Sequence, residues 1–347
     1  MLKVAVLFGG CSSEYGVSLE SAHSVLENID RDKFEPVPVG ITEDGEWFRF
    51  KGDIRKIKED GWCNPDDCVR AFVSPDRTMH GLLEVGQNEI KNIYIDAALP
   101  VMHGKFGEDG TIQGLLELAG IPVVGCGVLC SALCMDKDRA HRLANTEGIR
   151  VPRSYVLKDK KDVCRCAEYA SMLGYPLFVK PVKAGSSFGV SKVTDGKCLN
   201  EAVERALLYD DEVIIEENIA GFEVGCAVMG NEDLVTGEID EIELQSGFFD
   251  FAEKYNLISS KIHVPARVSA PKAEEIKETA KVIYKALGCR GFARVDMFLT
   301  PLGEIVFNEV NTIPGFTAHS RYPNMMKSVG MEFTQVITSI IDLAVER

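Results

Sequence analysis

An α/β fold built from three successive units is what this chain predicts, and three observations carry the expectation. Its 347 residues exceed what a single core organises. Its first third alternates short apolar runs with amphipathic, helix-spaced stretches. Its last third contains a Val/Ile/Phe-rich hairpin folded about a Pro/Gly turn. Hydrophobic residues at 46% and charged residues at 26% describe an ordinary globular protein.

The first unit is expected over residues 1–125. Lys3 to Phe8 reads as a buried strand, Val17 to Ile29 as an amphipathic helix and Phe34 to Ile41 as a second strand. Ala97 to Met102 and Thr111 to Ala119 repeat the pair. That order predicts an open, largely parallel sheet with helices on both faces. Ligands of such sheets gather at the carboxyl ends of strands, where Gly9-Gly10 and His103-Gly104 lie. The polar stretch from Lys51 to Gln87 reads as an irregular surface excursion.

A central unit over 126–218 holds a helix from Asp138 to Thr146 and short strands at Val156-Leu157, Leu177 to Lys180 and Val213 to Glu216. Pro176 and Pro181 bracket the second of these. The third unit, 219–347, holds strands at Glu223 to Met229 and Leu234 to Ile242. There follow a long polar loop, a helix from Glu274 to Leu287, the hairpin and a last helix from Phe333 to Val345. No internal repeat or low-complexity tract occurs.

Charge and cysteine content narrow the function classes. A net charge of −15 without any basic run disfavours nucleic acid and anionic membranes as partners. No apolar run reaches the roughly 18 residues of a membrane span, and the amino terminus reads as a strand and not as a signal peptide. Eleven scattered cysteines suit a reducing cytoplasm. Cys126, Cys130 and Cys134, spaced by four, read as small fillers on one helix face. Cys164 and Cys166 lack a second ligand pair.

The hairpin carries the sharpest chemical signal. Alternation puts Arg294 and Asp296 on one face, and likewise Glu309 and Asn311. A turn centred on Leu302-Gly303 sets Asp296 opposite Glu309. Like charges so placed cost a few tenths to about 1 kcal/mol, and more when buried. Two carboxylates and an amide oxygen form an all-oxygen cluster suited to Mg2+. A solvated, charged strand face is the bland alternative.

Other segments stay open when read singly. Lys180-Pro-Val-Lys-Ala-Gly185-Ser186-Ser187-Phe188-Gly189 fits a phosphate-covering loop or a plain turn. Glu216-Glu217 and Glu223 fit a nucleotide-binding linker or an acidic junction. Glu14 suits a substrate ammonium or simply an exposed loop, and His103 suits a ligand or a turn.

Together these pieces follow the order of ATP-grasp enzymes, in which two α+β subdomains close on ATP. The match becomes close in Gly9-Gly-Cys-Ser-Ser-Glu14, Val17-Ser-Leu, His103-Gly-Lys-Phe-Gly-Glu-Asp-Gly, Ser131 to Lys137, Lys180-Pro and Gly185-Ser-Ser-Phe-Gly189. It continues in Glu253-Lys-Tyr255, Arg294-Val-Asp296 and Asn308-Glu309-Val-Asn311-Thr-Ile-Pro-Gly315-Phe-Thr. From Val4 to about Met326 the chain resembles the D-alanine–D-alanine ligase family.

That resemblance implies an ATP-dependent ligase working through an acyl phosphate. It implies Lys137, Lys180 and Lys254 near phosphate, and Glu216 and Glu223 near adenine and ribose. Ser187, Glu217 and Asn308 complete the nucleotide set. Asp296, Glu309 and Asn311 would hold Mg2+, two ions in all, with Mn2+ as a substitute. Glu14 would fix the first D-alanine's ammonium in a network with Ser186 and Tyr255. Arg294 and the Gly315 N–H would steady an oxyanion. His103 would line the substrate site, and Ser320 would meet the second substrate's carboxylate. The loop 246–260 would be a closing lid, the assembly a homodimer and the setting cytoplasmic.

The second substrate is the finer question. Depsipeptide ligases of vancomycin resistance replace the Lys-Tyr pair with histidine, whereas Lys254-Tyr255 is intact here. Arg321-Tyr-Pro looks like the resistance-type ligases, and Ser246-Gly-Phe-Phe-Asp-Phe adds to a pattern most like the D-alanine–D-serine ligases of the VanG kind. Arg321, Asp240 and Phe249 are the expected determinants, because a site that hydrogen-bonds a hydroxyl favours D-serine. Arg321 as a plain structural partner of Asp240 stays open, and D-alanine is the alternative second substrate. Gly16 departs from the family, which commonly places an acid there.

Overall fold

Valines and isoleucines at alternating or continuous positions set the strands of three sheets, and those sheets place the site. The computed structural model describes residues 1–158, 160–244 and 260–346. Phe249, Lys254, Tyr255 and all but the last residue of the expected lid lie outside these.

The first sheet comprises β1 (Leu2–Gly9), β2 (Phe34–Ile41), β3 (Trp47–Phe50), β4 (Cys68–Val73), β5 (Gly81–Val85), β6 (Ile90–Tyr94) and β7 (Ala97–Val101). Its order is β6-β5-β4-β3-β2-β1-β7. Only β1 runs parallel to its neighbours β2 and β7, and the remaining pairs are antiparallel. The sheet is therefore mixed where the sequence predicts a largely parallel one. The reason lies in residues 51–87, which are not an irregular excursion: β4 and β5 extend the sheet, burying Ala71, Val73 and Leu82. The Pro, Asp and Gly residues around these short strands hide their alternation.

Opposite faces of β1 feed opposite cores. Val4, Val6 and Phe8 pack with helix Tyr15–Asn28, while Ala5 and Leu7 join Ile112 and Leu116 of helix Thr111–Ala119. The last helix, Phe333–Val345, opens with a reciprocal capping box between Glu332 and Gln335. It buries Val336, Ile337, Ile340 and Ile341 against the first core, roughly 1.5–3 kcal/mol each. The chain's end thus shares a core with its beginning.

The second sheet comprises β8 (Ser154–Leu157), β9 (Leu177–Pro181), β10 (Ser191–Val193) and β11 (Val213–Glu217), in the order β10-β9-β11-β8. The third comprises β12 (Phe222–Met229), β13 (Val235–Leu244), β14 (Ser260–His263), β15 (Phe292–Leu299) and β16 (Ile305–Asn311), in the order β14-β13-β12-β15-β16. Helix Ala270–Ala286 covers the third sheet through Ile276, Ala280, Ile283 and Tyr284.

On the β15–β16 hairpin Asp296 lies opposite Glu309 and Arg294 opposite Asn311. Beyond Asp296 the register slips by one at a bulge, so that Met297 faces Phe307. Cys130 and Cys134 lie on helix Val128–Met135, but Cys126 precedes it, which corrects the expected single helix face. No helix among the described residues is long and apolar enough to cross a membrane.

Candidate active site

At the end of β1 the chain turns through Gly9 and Gly10, both at positive φ. A Cβ on Gly9 would stand 2.1 Å from the Ile41 carbonyl oxygen, so only glycine fits. The turn delivers Glu14 to the start of helix Tyr15–Asn28, with its side chain buried. The Ser186 hydroxyl donates to Glu14 Oε1. Gly104 and Gly185 make room for this carboxylate: a Cβ on either would come within 2.3 and 3.0 Å of Glu14 Oε2.

His103, after β7, is buried beside it. Its Nδ1 lies 2.9 Å from the Ile313 carbonyl oxygen, so Nδ1 carries the proton. Nε2 then accepts from Ser21 Oγ at 3.1 Å. Burial lowers the imidazole pKa further, and the ring stays neutral. Glu108 accepts from the Gly104 and Ile313 N–H groups at 2.8 and 3.0 Å, tying the first unit to the segment after β16. Desolvation and the nearby Glu14 charge push its carboxyl up to about 8.

The second sheet contributes cations. Lys180 on β9 donates to Glu216 Oε2 on β11 at 2.6 Å, and both are well covered. Burial pulls the Glu216 carboxyl upward, yet Lys180 and His141 hold it below the ordinary glutamate value. His141, on helix Lys137–Thr146, sets Nδ1 3.7 Å from Glu216 Oε1 and Nε2 2.8 Å from the Asn308 carbonyl oxygen. Lys137 opens that helix, capped by Asp136, and donates to the Ala184 carbonyl at 2.7 Å. Between them runs the Gly185–Gly189 loop, where Ser186 and Ser187 adopt positive φ of 49° and 59°. Non-glycine residues held in that region mark a backbone strained in place by its surroundings.

The third sheet supplies a buried charge network. Arg294 forks onto Asp296, Nε to Oδ1 at 2.8 Å and Nη2 to Oδ2 at 2.7 Å, and Asn311 Nδ2 donates to Oδ2 at 2.9 Å. Arg321 forks onto Asp240 at 2.6 and 2.8 Å, donates to Glu223 at 2.8 Å and passes 3.4 Å from Asp296. Burial alone would lower both guanidinium pKa values, but the facing carboxylates raise them. Gly225 permits the crossing: a Cβ there would meet Arg321 Nη2 at 2.5 Å and Asp240 Oδ1 at 2.6 Å.

Two cavities meet at Lys137, Gly185, Ser186 and Glu309. One, of about 680 Å3, is lined by Glu14, His103, Arg294, Gly315, Ser320 and Arg321. The other, of about 440 Å3, is lined by Lys180, Ser187, Glu216, Glu217, Glu223 and Asn308. An elongated polyanion end to end with a small amino acid fits such a pair. Glu309 stands at their junction and Asn311 on the wall of the first, while Asp296, opposite Glu309, lies buried behind them on Arg294 and Asn311; the three together offer an all-oxygen donor set. Their adjacency across one strand pair suits a hard divalent cation.

The described residues of the expected site therefore converge, with three qualifications of role. Asp240 is fully buried behind Arg321 and lines neither cavity, so it holds the arginine and does not meet a ligand. Glu217 binds the Arg153 backbone and side chain at 3.0 and 2.8 Å. Ser320 stands just before the short helix Arg321–Lys327, and its hydroxyl oxygen accepts from the Thr317 N–H at 3.0 Å. Glu108 and His141 escaped the sequence reading. Glu108 lies within the quoted His103-to-Gly110 motif, and His141 lies one turn after Lys137 on the same helix face, so both carried a usable signal.

Comparison with known proteins agrees with this geometry. Family models described as D-ala D-ala ligase N-terminus and C-terminus match residues 3–126 and 143–342. The chain is 47% identical to the vancomycin/teicoplanin A-type resistance protein VanA of Enterococcus faecium, with 99% of each chain covered. It is 45% identical to a D-alanine–D-alanine ligase of Caldicellulosiruptor bescii, covering 100% of this chain and 96% of that one. Among solved structures, the VanG D-Ala:D-Ser ligase of Enterococcus faecalis superposes with a TM-score of 0.92 at 55% identity, covering 99% of both. A D-alanine–D-alanine ligase of Bacillus anthracis complexed with ATP superposes at 0.75 with 29% identity, covering 100% of this chain and 98% of that one.

Proposed function

The chain belongs to the D-alanine–D-alanine ligase family, and on that premise we propose that it joins D-alanine to D-serine at the expense of ATP, for cell-wall precursors of the vancomycin-resistant type. The observation that carries the reading is the meeting of the two cavities at Lys137, Ser186 and Glu309. One cavity suits two small amino acids and the other a nucleotide.

A carboxylate is a poor acyl donor until it is phosphorylated, and the two ends of the site divide that task. Glu14, held by Ser186, offers a buried negative charge for the ammonium of the first D-alanine. Burial keeps the neighbouring His103 neutral, so it adds no positive charge of its own there. Lys137, Lys180, Glu216 and Glu223 all line the second cavity, where the lysines would meet phosphates and the glutamates the nucleoside. Asp296, Glu309 and Asn311 would hold Mg2+, which when bound supplies charge neutralisation to the phosphoryl group being moved. Arg294 and the Gly315 backbone flank the place where an oxyanion would develop.

Support for D-serine comes from Arg321, a charged donor on the wall of the amino-acid cavity, and from likeness to the D-Ala:D-Ser ligase. The reading further takes the cytoplasm as the setting and a homodimer as the assembly. The test is phosphate release with ATP and D-alanine alone, then with D-serine or D-lactate added, with products identified by mass. D-alanyl-D-serine should dominate when both amino acids are present. Product containing only D-alanine would replace this reading with a D-alanine–D-alanine ligase.

A further inference from the structure

Four thiols converge where helix Val128–Met135 meets the segment before β15. Cys126 precedes helix Val128–Met135, Cys130 and Cys134 lie one turn apart on it, and Cys289 lies between helix Ala270–Ala286 and β15. Each is at most 5% exposed. Cys130 Sγ stands 3.8 Å from Cys134 Sγ and 3.4 Å from Cys289 Sγ. The sulfurs of Cys126, Cys130 and Cys289 all fall within 4.8 Å of one another. Cys134 joins this group through its contact with Cys130.

Small apolar fillers need only be buried; their sulfurs need not share a point. Cys166 shows the ordinary case, packed singly in the core of the second sheet. A tetrahedral zinc–thiolate centre has bonds of about 2.3 Å, which fixes its sulfur–sulfur edges at roughly 3.8 Å. The observed separations surround that value. The donor set is soft, opposite in character to the carboxylates of Asp296 and Glu309, and so selects a different ion.

We propose that Cys126, Cys130 and Cys289, with Cys134 as fourth ligand, form a structural site for one d10 divalent cation, zinc in particular. On binding, each ligating thiol releases its proton to solvent, and Cys126 gives up its S–H contacts to the Arg290 and Phe292 carbonyls. Cys134 also lines the larger cavity, which gives the ion a way in. The centre would fasten two functional segments to each other. Lys137 follows Cys134 by three positions, and Arg294 follows Cys289 by five.

The test uses the full chain, freed of metal by chelation under a non-thiol reductant, kept in excess Mg2+ to saturate oxygen sites, and given one equivalent of Zn2+ or Cd2+. After gel filtration the chain should retain one ion, show the ultraviolet charge-transfer band of cadmium–thiolate bonds and melt at a higher temperature. Replacing two of the exposed cysteines, Cys63→Ala with Cys198→Ala, should leave all three readouts intact. Cys130→Ala and Cys289→Ala, checked for native circular dichroism, should each lose the band and the retained ion. An intact chain that retains no ion, or folded variants that keep the band, would overturn the proposal.

Discussion

The two ends of the amino-acid cavity treat buried acids in opposite ways. At the third sheet, Asp296 and Asp240 each face a forked guanidinium, and Arg321 also takes Glu223. At the first sheet, Glu14 is held by a serine hydroxyl and Glu108 by two backbone N–H groups. Fixed cations lock the first arrangement at any ordinary pH. In the second, Glu108 needs a proton to sit comfortably, and Glu14 can answer to an arriving ammonium. The contrast teaches that one end is built as a scaffold and the other as a receptor.

The largest effect should come from breaking the scaffold. Arg321→Met strands Asp240, which is fully buried, and removing one partner of such a pair costs about 3–5 kcal/mol. Urea unfolding should register that loss, and the surviving enzyme should shift from D-serine toward D-alanine. Adding Asp240→Leu should return much of the stability without restoring the D-serine share. A double variant that regains D-serine would reduce Arg321 to a structural partner.

At the receptor end, Glu14→Gln keeps shape and removes charge. Hydrogen bonds to charged groups are worth about 1.5–3 kcal/mol, so the KM for the first D-alanine should rise by roughly 10- to 150-fold. The unfolding midpoint should hardly move. A matching loss of stability would make Glu14 part of the scaffold and erase the contrast.

Glu108 sharpens the comparison through pH. Its folded-state value, about 8, lies above the ordinary 4.5, so the folded state holds the proton more tightly. Stability from this group is fully present below about 4.5 and is lost as pH rises toward 8, at roughly 1 kcal/mol per pH unit. Glu108→Gln should flatten that decline in denaturation series across the interval. An unchanged slope would show that Glu108 ionises normally.

The smallest effect is expected on the surface. Arg150, in the segment before β8, pairs with Glu304 in the turn of the hairpin, and both are about half exposed. Arg150→Ala should therefore change stability by no more than about 1 kcal/mol and turnover not at all, as a steady-state assay with thermal melts would show.

Much of this was legible in local sequence. The hairpin register at Asp296 and Glu309 follows from alternation and a Pro/Gly turn, and both cavities are lined by motifs readable in order along the chain. The bulge after Asp296 was not legible, because one extra residue leaves the apolar pattern almost unchanged. Of the three pairings of Arg321, that with Asp240 was anticipated, but those with Glu223 and Asp296, 98 and 25 positions away, were not legible, because they meet through the glycine at 225. Strands β4 and β5 were hidden by turn residues at their edges, whereas Glu108 and His141 were passed over although one lies inside a motif and the other one turn after Lys137.

The most direct test of the account is isotopic. D-alanine with heavy oxygen in its carboxylate, turned over with ATP and the second amino acid, should pass one heavy atom into the phosphate released. That transfer requires the carboxylate to have attacked the terminal phosphoryl group. Phosphate free of the label, alongside normal dipeptide formation, would contradict the chemistry assigned to the junction of Lys137, Ser186 and Glu309.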